Sequence, residues 1–280
     1  MKFFIVAVSI MALGVSAVSA QSGHSGVSSD AQFSAKAAAA RALRENPQDG
    51  CSFTFSSGSG MASIKFCVTG NGNIAQLEIP AGVALVSQAS QLEGYGICDR
   101  NTNVAYSDWN GVETGTWDTA RVVSHSATSV KIARSTGDGI WTLTQTIAQL
   151  KGAPPGAKIA MALTNNSAQP RDVNLVRYAD MDVATVIPNN FDTTLNTAMA
   201  WNSMFVSEGP FGVVLQNLVP VPRVGEAVTQ NTADPPDPCS PKDNAVTTLQ
   251  QGADGSLEMV YSTTVRPHKT VTLTSAYKGR

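Results

Sequence analysis

The chain has 280 residues, of which 14% are charged, and its formal net charge at pH 7 is −2. Binding to nucleic acid requires many lysine and arginine contacts with phosphates, so this near-neutral balance argues against a nucleic-acid partner. The length is sufficient to bury a hydrophobic core without support from disulfides.

The first twenty residues predict a secretory signal peptide. Lys2 precedes an apolar run from Phe3 to Val18, and the segment closes on the small-residue pattern Val18-Ser19-Ala20. This run is shorter than the roughly 20 residues needed to span a bilayer. We therefore expect cleavage after Ala20, secretion to an extracellular or periplasmic space, and no membrane span in the processed protein.

Residues 21–50 are predicted to form a flexible leader that contains a short helix. Ser34–Glu45 is rich in alanine and other strong helix formers. Ser34 is suited to cap the start of this helix, and Pro47 and Gly50 are suited to end it.

Residues 51–280 predict a single all-β domain, a large antiparallel β-sandwich. Apolar and polar residues alternate over much of Ile140–Ile147, which is the period of a half-buried strand. The segment Asn71-Gly72-Asn73 predicts a tight turn between strands at Lys65–Thr69 and Ile74–Ile79. In chain order the remaining predicted strands are Cys51–Phe55, Ser63–Val68, Val83–Val86, Val104–Tyr106, Arg121–His125, Ser129–Arg134, Lys158–Thr164, Val173–Val183, Met204–Ser207, Gly212–Asn217, Ala245–Gln250, Leu257–Thr264 and Thr270–Ala276.

The four cysteines predict two disulfides, because an even number of cysteines in a secreted chain usually pairs. Three pairings are possible. We favour Cys51–Cys67 with Cys98–Cys239, since the first pair brackets a predicted hairpin. The spacing does not match that of a zinc site. The second bridge would pin a proline-rich surface loop, Thr232–Pro241, to the domain.

Acidic side chains cluster on the predicted strand Val173–Val183. Successive side chains of a strand face opposite ways, so Tyr178, Asp180 and Asp182 share one face. Arg177 lies on the other face with the apolar residues. Two carboxylates and a tyrosine in a row are costly to bury unless they meet solvent, a cation or a ligand.

One interpretation of these acids is calcium binding, because calcium takes carboxylate and amide oxygens at irregular spacing. A structural interpretation is also open, in which the acids cap turns or pair with arginines. No cofactor is required by the sequence, and calcium is the one that it suggests. The candidate calcium ligands are Asp180, Asp182, Asn190 and Asp192.

A catalytic interpretation makes Asp180 and Asp182, or Asp192, the carboxylates of a glycan-acting enzyme. On a strand, Asp180 and Asp182 would lie about 6–7 Å apart, which overlaps the carboxylate separation used in glycosidic cleavage. The chain contains no G-x-S-x-G, H-E-x-x-H or P-loop motif that would indicate another chemistry. The candidate assisting residues are Arg177, Tyr178 and His125.

Aromatic residues are concentrated within a short stretch that is rich in glycine, asparagine and aspartate. Aromatic faces beside carboxylates can hold sugar rings, because a pyranose has an apolar face and polar edges. The same residues could instead cover one end of a sandwich core. The candidate ligand-binding aromatics are Tyr95, Tyr106, Trp109 and Trp117.

The segment Lys158–Asp182 resembles part of the large sandwiches of galactose-mutarotase-like carbohydrate enzymes. It carries Thr164-Asn165-Asn166-Ser167 before a strand that ends in acids. The resemblance covers about one tenth of the chain and includes no diagnostic residue. It implies a supersandwich-like fold, and fold alone does not imply function.

The sequence therefore predicts a secreted β-sandwich that binds carbohydrate or another extracellular ligand, with structural calcium as an option. Two alternatives stay open. The first is a secreted hydrolase, lyase or epimerase that acts on glycans. The second is a structural envelope or surface protein. The predicted partner is a glycan, and the sequence does not indicate an oligomeric state.

Overall fold

The computed structural model describes residues 50–86, 92–110, 112–150, 152, 154–185, 188–202, 211–219, 225–230, 232 and 234–280. The predicted signal peptide, the predicted leader helix Ser34–Glu45 and the predicted strand Met204–Ser207 lie outside these residues. Within the described ranges, we find no helix with the length and apolar character that a membrane crossing requires.

The prediction of an all-β fold is confirmed, since the described residues form 20 strands in three antiparallel sheets and no α-helix. The strands are β1 Phe53–Ser57, β2 Ile64–Val68, β3 Ile74–Glu78, β4 Ala84–Val86, β5 Glu93–Asp99, β6 Val104–Asp108, β7 Glu113–Thr114, β8 Arg121–His125, β9 Ser129–Ser135, β10 Trp141–Leu150, β11 Gly156–Asn165, β12 Arg171–Asp180, β13 Asn189–Thr194, β14 Thr197–Asn202, β15 Phe211–Asn217, β16 Gly225–Gln230, β17 Ala245–Val246, β18 Gln250–Ala253, β19 Ser256–Val265 and β20 Thr270–Gly279.

The described strands are arranged in sheets of four, nine and seven. The four-stranded sheet has the order β1-β2-β3-β4. The nine-stranded sheet has the order β18-β13-β14-β15-β20-β11-β10-β9-β8, and the seven-stranded sheet has the order β17-β16-β19-β12-β5-β6-β7. The two large sheets pack face to face, and residues from all three sheets share a continuous buried cluster. This arrangement agrees with the predicted sandwich.

Strand β10 shows why the alternating segments fold as they do. Trp141, Leu143 and Ile147 point into the core and are buried, while the threonines between them are half-buried. β10 pairs with β11 over ten residues, from Trp141–Asn165 to Leu150–Gly156. Alternation with period two therefore fixes which face of this sheet meets the core.

The predicted hairpin turn at residues 71–73 is also present. Thr69 N donates to Asn73 O at 2.9 Å, which closes the loop between β2 and β3. Gly72 adopts a φ of +93°, a conformation that residues with a Cβ rarely take.

Both predicted disulfides are formed, Cys51–Cys67 and Cys98–Cys239. The first joins the residue two positions before β1 to the neighbouring strand β2. The second joins β5 to the proline-rich segment, which we call the strap and define as residue 232 with residues 234–244. Thus the strap is covalently held to the centre of the seven-stranded sheet.

Candidate functional site

Strand β12 divides its side chains between the core and the outer face of the seven-stranded sheet. Leu175 and Ala179 belong to the main buried core. Tyr178 packs with Val176 and Trp109 in a second apolar cluster. The alternation of faces predicted for this strand is therefore present.

Arg177 lies in the interior, on the face opposite the candidate acids. Its guanidinium forms an ion pair with Glu93, and neither side chain is exposed. Arg177 Nη1 donates to Gln145 Oε1 at 2.8 Å, and Tyr277 Oη donates to Glu93 Oε1 at 3.0 Å. Because neighbouring positions of a strand face opposite ways, the structure does not bring Arg177 to Asp180.

The strap covers the outer face of the sheet. Its prolines lack N–H groups and cannot donate backbone hydrogen bonds, and three of its carbonyls accept hydrogen bonds from donors outside the strap. Side chains of the sheet provide three such donors. The hydrogen bonds run from Asn174 Nδ2 to Pro238 O at 3.2 Å, from Gln230 Nε2 to Pro241 O at 3.0 Å and from Ser256 Oγ to Thr232 O at 3.0 Å.

Polar side chains from three strands form two adjacent rows on this outer face. Tyr178 on β12 lies opposite Glu258 on β19. In the next row, Asp180 lies opposite Ser256, and Ser256 lies opposite Gln230 on β16. Cross-strand partners share a face of the sheet, so these five side chains lie side by side.

Burial dominates the electrostatics of these rows. Glu258 has no exposed surface, and its Oε2 accepts a hydrogen bond from Gln230 Nε2 at 2.7 Å. Burial raises the pKa of Glu258 well above its ordinary value of 4.5. Burial, and then the Asp180 carboxylate, raise the pKa of Tyr178 well above 10.0. Both groups are therefore favoured in their neutral, protonated forms.

Three carboxylates come together where β12 ends. Oxygens of Asp180, Asp182 and Asp254 lie within 4.8 Å of one another. They are closer than strand spacing predicts, because β12 ends at Asp180 and the chain enters a 3-10 turn at Val183–Thr185. A group of hard oxygen ligands of this kind could hold a divalent cation such as calcium.

The other two predicted calcium ligands lie on β13. Asn190 Oδ1 accepts a hydrogen bond from Gly252 N at 3.3 Å, and Asp192 Oδ1 accepts one from Thr193 N at 2.8 Å. Asp192 is not a member of the three-carboxylate group. Sequence reasoning missed Asp254, which reaches the end of β12 because β19 begins directly after the Asp254 turn and pairs with β12.

The predicted ligand-binding aromatics separate into two groups. Tyr95 and Tyr106 are buried in the main core. Trp117 is half-buried, packs edge-on against both tyrosine rings, and carries the Arg134 guanidinium 5.1 Å from its ring centre. These three cover the core, whereas Trp109 lies on the outer face of the sheet.

Trp109 lies between the sheet and the strap. It is 3% exposed, and its ring packs edge-on against Tyr178 with 5.5 Å between ring centres. Beside it, an open groove of about 450 Å³ lies between β6–β7 and the strap. We call this the strap groove, and its lining is mostly apolar. The lining residues are Ala105, Ser107, Trp109, Val112, Thr114, Pro235, Pro236, Asp237 and Pro238.

His125 lies apart from these groups. It is exposed on β8, at the edge of the nine-stranded sheet. Its ring packs against Phe53 and Phe55, with 4.9 Å and 6.0 Å between ring centres. Asp180 belongs to the other large sheet, so the structure does not bring the predicted histidine and carboxylate together.

Solved structures of similar fold are known. A bacterial glucoamylase in complex with acarbose superposes with a TM-score of 0.53 at 9% identity, over 83% of this chain and 32% of the glucoamylase. The chain thus spans about a third of that protein's length. An aldose epimerase homologue from C. elegans gives a TM-score of 0.46 at 9% identity, over 81% of this chain and 98% of the homologue.

At this identity, the likeness to the glucoamylase shows a shared fold and nothing more specific. It agrees with the predicted large β-sandwich. No protein family profile matches the chain. No curated protein sequence is detectably similar to it.

Proposed function

We propose that the chain is a secreted carbohydrate-binding protein whose glycan lies in the strap groove. The observation that carries this proposal is the groove itself. Its volume of about 450 Å³ falls within the range typical of small-molecule sites, about 300–1,000 Å³. It combines apolar walls with a few polar groups, as such sites commonly do.

The groove chemistry suits a sugar better than a flat apolar compound. The half-buried Pro235 ring and the exposed Val112 provide apolar surface for one face of a pyranose. The exposed Thr114 and Asp237 provide polar groups for its hydroxyls, and the buried Ser107 pairs its hydroxyl with that of Thr114 at 2.7 Å. The glucoamylase of similar fold binds acarbose, which makes carbohydrate the first ligand class to test.

The test uses substitution at the mouth of the groove. Val112 is 39% exposed, so Val112→Arg should fill the groove without disturbing the core. Val123→Arg is the matched control, because Val123 is 40% exposed on the edge strand β8 of the other sheet. Calorimetric titration with neutral oligosaccharides should show binding by the wild type and by Val123→Arg, with at least about tenfold weaker binding by Val112→Arg.

Two outcomes would reject the proposed function. One is the absence of binding across a panel of oligosaccharides at millimolar concentration. The other is equal affinity of Val112→Arg and the wild type, which would move any sugar site away from the strap groove. Turnover of the bound oligosaccharide would favour the enzyme alternative over a pure binding protein.

The cluster of three carboxylates, Asp180, Asp182 and Asp254, favours a second, separate role, the binding of calcium. Calcium should raise the melting temperature relative to EDTA, by roughly 2–4 °C for each kcal/mol of binding energy. Asp254→Asn should abolish this rise, since Asp254 is one of the three clustered acids. Asp192→Asn is the control and should retain it. An equal melting temperature in calcium and EDTA would contradict the metal site.

A further inference from the structure

We propose that the strap is a proton-operated lid, with Glu258 as its sensor and the Gln230 side chain as the link between sensor and lid. This proposal does not depend on what the strap groove binds. It starts from the contacts of one amide. Gln230 Nε2 donates both to the strap carbonyl Pro241 O at 3.0 Å and to Glu258 Oε2 at 2.7 Å.

These two hydrogen bonds use both protons of the Gln230 amide nitrogen. The bond to the strap therefore depends on the same group that contacts Glu258. Any movement of Gln230 toward an ionised carboxylate would weaken the bond to Pro241. The amide thus couples the charge state of Glu258 to the position of the strap.

The surroundings of Glu258 suit a neutral acid and not a carboxylate. Its Oε1 has no hydrogen-bond partner within the part of the chain that the structure describes, and the side chain is wholly buried. An ionised carboxylate without full hydrogen bonding is strongly disfavoured in such a site. Hydration of the charged form therefore favours lifting of the strap, whose Pro241 carbonyl is held by the same amide that contacts Glu258.

The charged and titratable groups around Glu258 do not supply a fixed counter-ion. Tyr178 on β12 and Lys242 on the strap interact with Glu258, while Asp180 on β12 and Asp234 on the strap act on Tyr178. Lys242 attracts the carboxylate, but this effect is smaller than that of burial. The lysine is itself exposed and paired with Glu226 on β16.

The sign of the pH dependence follows from burial, which raises the pKa of Glu258 above its ordinary value of 4.5. A raised pKa in the closed state means that closure is stabilised at low pH. This stabilisation is lost as the pH rises through the raised pKa. The strap should therefore be closed in mildly acidic solution and open as the pH increases.

The disulfides provide an internal measurement of opening. The Cys98–Cys239 bridge ties down the strap, while Cys51–Cys67 lies in the four-stranded sheet. Brief treatment with a phosphine reductant, followed by thiol labelling and peptide mass spectrometry, gives the ratio of the two reduction rates. The ratio cancels the pH dependence of the reagent. EDTA is present throughout, so that a bound cation does not contribute.

For the wild type, we expect this ratio to increase at least about tenfold between about pH 5 and about pH 9. Glu258→Gln, which is neutral at every pH, should keep the ratio low and flat. Glu226→Gln is the matched control, because it removes an exposed partner of Lys242 and leaves Glu258 intact. This control should still show the rise with pH.

A flat ratio in the wild type would overturn the proposal, and so would a rise in Glu258→Gln equal to that of the wild type. A ratio that is high at every pH in Glu258→Gln would also overturn it. Amide hydrogen exchange of residues 234–244 in the unmodified chain is a second measurement that needs no variant. After correction for intrinsic exchange, protection that does not change with pH contradicts the lid.

Discussion

Arg177 and Glu93 are both without solvent exposure, and each is the other's counter-ion. The pair gains hydrogen bonds from the neighbouring Tyr277 and Gln145. A buried ion pair of this kind is weak as a source of net stability, but it is costly to break, since the remaining charge is left unpaired. Arg177, a candidate for catalysis on sequence grounds, therefore lies in the interior with Glu93 as its partner.

Arg177→Met should lower the free energy of unfolding by about 3–5 kcal/mol, because it leaves Glu93 buried without its cation. Urea denaturation is the measurement. The double variant Arg177→Met, Glu93→Leu should recover part of the loss. Lys242→Met, which removes an exposed pair, is the control and should change little. A loss no larger for Arg177→Met than for Lys242→Met would contradict the structural role.

Glu258 illustrates how much of a single residue's environment can be predicted from the sequence. The predicted strand Leu257–Thr264 alternates, so Glu258 shares a face with Val260 and Ser262. A glutamate in that position could have been noted as a buried acid. Gln230 could not have been identified as its partner, because the strap separates β16 from β19 along the chain. The two strands pair only in the folded sheet.

At the scale of elements, strands with clear alternation are predicted well. β10 and β11 differ from their predictions only at their ends, and β8 matches its prediction residue for residue although all five of its side chains are exposed. β5 is not predicted, although it is central in its sheet and buried throughout. Its two glycines, Gly94 and Gly96, lower its strand propensity, and the reason for them is tertiary packing.

Gly96 allows the strap to approach the sheet. A Cβ at this position would lie 2.4 Å from Pro238 Cγ and 3.0 Å from the Trp109 ring. The local sequence does not indicate that Gly96 contacts both the strap and the Trp109 ring. The sequence therefore indicates that Tyr95 is a loop aromatic, whereas in the structure it is a core residue.

Gly96→Ala should destabilise the protein by about 1–3 kcal/mol, the usual cost of overpacking, and should push Pro238 away from the sheet. Thermal unfolding gives the first quantity, and proteolytic susceptibility of the strap gives the second. The double variant Gly96→Ala, Pro238→Ala removes the clash and should restore part of the stability. Equal stability of Gly96→Ala and the wild type would show that the strap moves freely.

At the scale of the whole molecule, the two disulfides restrain very different lengths of chain. Cys51–Cys67 joins residues 16 apart, and Cys98–Cys239 joins residues 141 apart. In the chain-entropy description, a cross-link stabilises more when it closes a longer loop in the unfolded state. The sequence alone left three pairings open, and the hairpin argument selected the pairing that the structure contains.

Replacing Cys98 and Cys239 by serine should cost about 5 kcal/mol, against about 3 kcal/mol for the same change at Cys51 and Cys67. Denaturant unfolding of the two double variants provides the comparison. The Cys51 and Cys67 variant is the matched control for the chemical change from cystine to serine. A larger loss in that control would contradict the loop-length argument.

The position of β20 determines when the nine-stranded sheet can be completed during synthesis. β20 follows every other described strand along the chain, yet it lies between β11 and β15 and pairs with both. Until it leaves the ribosome, β8–β11 and β13–β15 have no common neighbour to join them. A chain that terminates before residue 270 would therefore present two unfinished sheet edges at once, and each is a template for aggregation.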